Sequence, residues 1–285
     1  MVIDNSQANQ FRTCPLLWRE TNIANGTGLE LKPDLGKVAP MDLGSRVHEL
    51  LEEYYNDLRG QPIPPYPESP NPALETEAQI IMGAYRARYP QEEFEIVDVE
   101  RTFKVALPKI FMYFYDHIYT GKIDLVFRQN GILNIMDHKT QNRRAASNHP
   151  KRWAARDQAS LYLWAASKIY NEPIGNFYVN ILVRPSEKLQ EGPIFPERMK
   201  LERTSEQLDI AVRDLVFIAD EIERYSYIFG DSLWPSNREA CTEGTWGDCP
   251  FYLPHTFGWS EAILQEKYQP KQEYLKLAGV PIIQP

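Results

Sequence analysis

Long apolar runs are missing from this 285-residue chain. No uncharged stretch approaches the ~20 residues that a membrane-spanning helix needs, so no membrane association is expected. The first ten residues, MVIDNSQANQ, are polar and lack the apolar heart of a secretion signal. Cysteine is scarce. Three residues make an odd count too small for a disulfide scaffold, which points to a reducing, cytoplasmic setting. An excess of basic charge is also missing, with 31 Lys+Arg against 39 Asp+Glu and a formal net charge of -8. That balance argues against a protein that coats nucleic acid by overall charge, while leaving room for a local basic groove. The sequence holds no HExxH, GxSxG, P-loop or GxGxxG, which leaves a metalloprotein built on another fold with little support. What is present is ordinary for a folded chain: 43% hydrophobic and 25% charged residues, which exclude disordered and fibrous classes.

Residues 1–40 read as irregular, with Gly, Pro and Asn scattered from Ile23 to Pro40. A helix is expected from about Met41, with Asp42 as its N-cap and Leu43, Val47, Leu50, Leu51, Tyr54 and Tyr55 as an apolar stripe. Six prolines between Gln61 and Pro72 enforce a loop. A second helix is expected from Ala73 to Arg88. The period then changes to that of strands over Phe94–Leu107, Phe111–Tyr119, Gly121–Phe127 and Ile132–His138. A helix follows from about Trp153 to Tyr170, then a buried strand, Phe177–Arg184. Thr204 and Gln207 form a capping-box pattern ahead of a long helix ending at Gly230. The last 50 or so residues read as irregular. Helices around a short mixed sheet make one α/β domain.

The informative segment is GKIDLVFRQNGILNIMDHKT, residues 121–140. Asn-Gly is a strong two-residue hairpin signal. With Asn130 and Gly131 as the loop, Gln129 faces Ile132 and, counting back along both strands, Asp124 faces Asp137. Facing like charges at about 4.5–5.5 Å are destabilising. Strand alternation puts Lys139 on the same face as Asp137. Two facing acids and a lysine among Val126, Leu133 and Ile135 are expensive to bury, and a divalent cation between the acids would remove the repulsion. The plainer alternative is a solvated sheet edge with Lys139 as a salt-bridge partner. Two further pairs bear on this choice. Gln158 and Tyr162 share one helix face at i, i+4, and His48 precedes Glu52 by one turn. Between Asp137 and Asp157 lie Lys139, Arg143, Arg144, Lys151, Arg152 and Arg156, a strip suited either to phosphate contact or to a solvated loop.

Taken in order, His48, GKID (Gly121–Asp124), DHKT (Asp137–Thr140) and QASLY (Gln158–Tyr162) resemble the RecB-like branch of the PD-(D/E)XK nucleases. This branch includes the CRISPR-associated Fe–S exonucleases and many phage-encoded relatives. The resemblance spans about Cys14 to His255. It implies a restriction-endonuclease-like α/β core, a central mixed sheet flanked by helices, extending over about residues 41–229. It also implies metal-dependent DNA cleavage. Carried over motif by motif, His48, Asp124 and Asp137 would coordinate Mg²⁺ or Mn²⁺ together with the backbone carbonyl of His138. Lys139 would orient the attacking water, and Gln158 and Tyr162 would position the DNA backbone or the lysine. Glu100 is a further candidate for a supporting or metal-ligating role.

The resemblance also implies a [4Fe–4S] cluster held by one N-terminal and three C-terminal cysteines. Cys14, Cys241 and Cys249 match three positions, and His255 stands where the fourth falls. Three readings follow: a cluster with Cys₃His ligation, a structural Zn²⁺ on the same residues, or a lost metal that leaves small buried thiols. Any metal there would staple residues 1–40 to residues 230–285. The functional expectation is a metal-dependent deoxyribonuclease, an exonuclease acting on DNA ends or single strands with little sequence specificity. Its setting would be recombination, repair or phage replication. A non-catalytic DNA-binding or assembly module retaining the fold is the alternative.

Overall fold

A computed structural model of the chain describes residues 1–23, 28–32, 38–64, 66–110, 116–147, 149–186, 190–230, 232, 234–242, 249–271 and 277–284, with 149 and 150 described in backbone only. In chain order the elements are β1 (Val2–Ile3), α1 (Asn5–Thr13), α2 (Pro15–Asn22), β2 (Leu29–Leu31), α3 (Pro40–Leu58), α4 (Pro72–Arg88), β3 (Glu95–Ala106), β4 (Ile118–Gln129), β5 (Ile132–Gln141), α5 (Arg143–Ser147), α6 (His149–Ala154), α7 (Asp157–Tyr170), β6 (Ile174–Val183), β7 (Met199–Leu201), α8 (Ser205–Phe229), α9 (Tyr252–Phe257), α10 (Glu261–Lys267), β8 (Tyr268–Pro270) and β9 (Ile282–Ile283). Among the described residues the strands form a seven-stranded mixed sheet in the order β7-β6-β5-β4-β3-β9, with β1 also paired to β4. No described helix is long and apolar enough to cross a membrane.

Chain contacts divide the protein into two compact units. One comprises residues 34–102 and 122–211. Its core packs the α3 stripe (Leu43, Val47, Leu50, Leu51, Tyr54, Tyr55) and the α4 residues Leu74, Ala78, Ile81, Met82 and Tyr85 onto Leu125, Phe127, Met136 and Leu182 of the sheet. The β4–β5 hairpin turns at Asn130 and Gly131, both at positive φ (51° and 77°), the conformation that a two-residue type I′ turn demands. Its antiparallel register pairs Leu125 with Met136 and Val126 with Ile135, as the Asn-Gly turn dictates. The parallel β5–β6 ladder sets Asp137 beside Val179 and Lys139 beside Ile181.

The other unit comprises residues 1–33, 103–121 and 212–285. Here β1 pairs in parallel with the start of β4, β9 with the end of β3, and β2 lies antiparallel to β8. Leu29 and Tyr268 of that ladder pack with Phe251 in a small apolar core.

The capping box at Thr204 is present: the Thr204 amide donates to Gln207 Oε1 at 2.9 Å, and the Gln207 amide donates to Thr204 Oγ1 at 3.3 Å. Elsewhere the structure differs from expectation. The described part of residues 1–40 includes the helices α1 and α2 and the strands β1 and β2. The Asp4 side chain caps α1 by accepting from the Gln7 amide at 2.8 Å. The N-cap of α3 is Ala39, not Asp42, because Pro40 needs no amide partner and opens the helix itself. The helix expected over Trp153–Tyr170 breaks at Arg156, whose backbone is extended (φ −87°, ψ 135°). The Arg203 guanidinium satisfies the interrupted turn, donating to the carbonyls of Ala154 at 2.9 Å and Trp153 at 3.4 Å. The strand expected from Phe111 begins only at Ile118; residues 111–115 lie outside the described residues. The C-terminal stretch also has regular structure, in α9, α10, β8 and β9.

Candidate active site

The facing acids of the hairpin lie within the unit built on α3 and the β4–β5 hairpin. Asp124 and Asp137 are buried, at 7% and 3% exposure. Asp124 Oδ2 accepts the backbone N–H of His138 at 2.7 Å, which locks the carboxylate against the opposing strand. His48 reaches this point from α3. Its Nε2 donates to the His138 carbonyl at 3.0 Å. Its Nδ1 stands 3.3 Å from Glu100 Oε1 and 3.6 Å from Asp124 Oδ2. A carbonyl can only accept, so Nε2 carries hydrogen; Nδ1 faces two carboxylates and holds a second proton. Burial alone would push the His48 imidazolium down, but Asp124 and Glu100 outweigh it and hold its pKa up at about 9.

Glu100 comes from β3 and has φ of +49°, a left-handed backbone uncommon outside glycine. Lys122 of β4 pairs with its other carboxylate oxygen. Burial pushes Glu100 up, yet His48 and Lys122 bring it below the ordinary carboxylate range. Asp124 is driven the other way: burial raises it most, Asp137 and Glu100 add to the rise, and His48 and Lys139 offset it only in part. His48, Glu100 and Asp124 thus present three donor atoms all within 4.8 Å of one another.

Asp137 has different company. Lys139 Nζ lies 2.7 Å from Asp137 Oδ2, and Gln158 Nε2 donates to Asp137 Oδ1 at 3.0 Å. Burial would push the Lys139 ammonium down, but Asp137 and Asp124 keep it raised and charged. Tyr162 sits one turn beyond Gln158 on α7, its ring 6.4 Å from that of Phe177. Glu52, one turn past His48, accepts the Tyr66 hydroxyl at 2.5 Å. The structure therefore brings the sequence candidates His48, Glu100, Asp124, Asp137, His138, Lys139 and Gln158 together, and adds one residue, Lys122. Its one signal is its place in GKID, two residues before Asp124 and so on the same strand face.

Three further predicted ligands approach one another within the other unit. Cys14 Sγ accepts the backbone N–H of Asn237 at 3.3 Å, and the Cys249 amide donates to the Cys241 carbonyl at 2.8 Å. Burial, with the neighbouring Cys241 and Cys14 thiols, pushes Cys249 up to about 11. Burial pushes His255 down, so its ring is neutral, and its buried Nε2 has no hydrogen-bond partner among the described residues. The thiols and His255 do not form a group as tight as His48, Glu100 and Asp124 among the described residues.

A family model described as the PD-(D/E)XK nuclease superfamily matches residues 5–251. Among solved structures, a Eubacterium rectale protein provisionally named an exonuclease superposes with a TM-score of 0.50 at 12% identity, over 84% of this chain and 85% of that one. The protein SSO0001 covers 84% of this chain and 93% of its own, at 13% identity and a TM-score of 0.33. At such identity the first likeness speaks for the fold alone. No curated protein matches the sequence.

Proposed function

The chain belongs to the PD-(D/E)XK nuclease superfamily, and from that premise we propose that it is a metal-dependent deoxyribonuclease that degrades DNA from its ends or as single strands. The observation that carries this reading is the convergence of His48, Glu100 and Asp124 beside the Asp137–Lys139 pair. The donor set suits a small hard cation: two carboxylates, an imidazole and the His138 carbonyl that His48 already touches. The place also attracts positive charge, because the acids hold His48 protonated when no ion balances them. Asp137 belongs to the same group in this reading, lending Oδ2 once Lys139 turns to substrate. Mg²⁺ or Mn²⁺ held there would supply Lewis-acid chemistry, offsetting charge at the scissile phosphate and acidifying a water.

The chain's own residues do the rest. Lys139 orients the attacking water, whose oxygen forms the new bond to phosphorus as the bond to the leaving oxygen breaks. Its ammonium then faces the charge that develops on the phosphate. Gln158 fixes the Asp137 carboxylate, and Tyr162 helps to place the DNA backbone. No motif for reading base edges accompanies the site, so little sequence preference is expected. Processing of DNA ends in recombination, repair or phage replication, in the cytoplasm, fits such an activity.

A [4Fe–4S] cluster, or Zn²⁺, on Cys14, Cys241, Cys249 and His255 completes the proposal. Neighbouring thiols and a neutral imidazole whose Nε2 has no hydrogen-bond partner among the described residues support it, as donors of the kind both groups take. Iron and zinc analysis of the purified protein tests this part, and a sample with neither leaves the thiols as buried side chains.

The activity test uses end-labelled linear, circular and single-stranded DNA with Mg²⁺ or Mn²⁺. Linear DNA and single strands are expected to be degraded, and Asp124→Ala, Asp137→Ala and Lys139→Ala each to abolish the reaction. Full activity in the Asp137→Ala protein would sink the proposal. DNA binding without any metal-dependent turnover would mark a non-catalytic module on the nuclease fold.

A further inference from the structure

The basic strip after the hairpin is not uniform. Arg143 is engaged, with Nη2 2.5 Å from Glu191 and 3.4 Å from the Gly192 carbonyl. Arg144 and Lys151 are exposed. Arg156 is unlike these. It is half-buried and precedes α7 at the break from α6, and among the described residues no carboxylate pairs with it. Its guanidinium carbon lies 5.2 Å from the centroid of the Trp153 ring. The Lys139 ammonium lies 5.7 Å from the same centroid. Trp153 is itself immobilised: it is 1% exposed and stacks on Phe177 at 5.6 Å and 26°.

One buried indole thus carries two cations, each within the ~6 Å range of a cation–π contact. One of them, Lys139, is paired with Asp137 at 2.7 Å; the other feels Asp137 only at a distance and makes no ion pair among the described residues. We propose that Arg156 grips the DNA phosphate next to the scissile one, with Trp153 holding it at a set separation from Lys139. This inference rests on the nuclease reading. A half-buried guanidinium with no acid in contact among the described residues is poorly stabilised by the protein alone. Burial and the like charge of Arg152 push it down from its ordinary range with only partial relief from Asp137, and an incoming phosphate would add to that relief. A guanidinium also takes a phosphate through two parallel N–H bonds, giving orientation as well as charge.

The test is binding of a short fluorescein-labelled single-stranded DNA in EDTA, where nothing is cleaved, across about 50 to 200 mM salt. Each phosphate contact contributes ~0.7 to the slope of log affinity against log salt on single strands. Arg156→Gln is expected to weaken binding and to lower the slope by ~0.7, Arg156→Lys to keep the slope, and Arg143→Gln to leave it unchanged. Retention of the slope by Arg156→Lys shows that charge, and not the integrity of the fold, is what is read. An unaltered slope in Arg156→Gln, or an equal loss in Arg143→Gln, overturns this inference alone. Wild-type protein that binds no DNA overturns the nuclease reading and this inference with it.

Discussion

Loading the site with metal must expel a proton, and His48 sets how many and at what pH. In the metal-free protein the ring is held as imidazolium by Asp124 and Glu100, with a pKa of about 9 against its ordinary 6.5. A cation can bind the ring only through a bare nitrogen. At pH 7.5 a group of that pKa is almost fully protonated, so binding one Mn²⁺ should release about one proton from His48. Asp124, raised by burial, adds a further fraction near neutrality. Affinity should therefore strengthen about tenfold for each pH unit between 7 and 9, about 1.4 kcal/mol per unit, and level off above. Without metal the sign is the opposite. The folded pKa of His48 lies above the unfolded one, so the stability contributed by its charge is present below about 6.5 and lost as pH rises through about 9. Titration calorimetry of Mn²⁺ in two buffers of different ionisation enthalpy counts the protons directly. In His48→Gln the release should fall to the share of Asp124. Affinity that does not change between pH 7 and 9, with no proton released, would refute the assignment of His48 as a ligand.

Two other predictions test what holds the site in place. Gln158→Ala leaves Asp137 Oδ1 without its donor, so turnover should fall about 10- to 100-fold while the fold loses roughly 1–3 kcal/mol, read by steady-state kinetics and urea unfolding. The Arg46–Glu75 pair (2.8 and 3.0 Å) ties α3, which carries His48, to α4. Arg46, whose side chain is 7% exposed, holds Glu75 down at about 2. That depressed carboxyl contributes stability above its unfolded value of about 4.5 and loses it as pH falls through about 2. Glu75→Gln should therefore lower stability by roughly 1–2 kcal/mol at pH 6, allowing for solvent screening, and by almost nothing near pH 2. A gap that does not close in acid unfolding would contradict the pairing.

The sequence by itself determined the parts governed by local periods. Asn130-Gly131 imposes a two-residue turn, and a period of two then settles which residues face each other, so Asp124 and Asp137 were brought together by counting alone. The α3 stripe and the Thr204 capping box were legible for the same reason, since both depend only on residues one or two turns apart. Only the tertiary structure decided what the acids do there. Glu100 reaches His48 through a left-handed residue in β3, a departure from the strand period that no pattern announces. Lys122 looked like any polar strand residue until β3 placed a carboxylate against it. Arg156 was one of six basic residues spread between Asp137 and Asp157. Its distinction comes from Arg203 stabilising the break between α6 and α7, which sets its guanidinium on the Trp153 ring beside Lys139. Such placements depend on packing between elements far apart in the chain. Periodicity fixes which face a side chain occupies, and the neighbours across the sheet decide whether that face becomes a site.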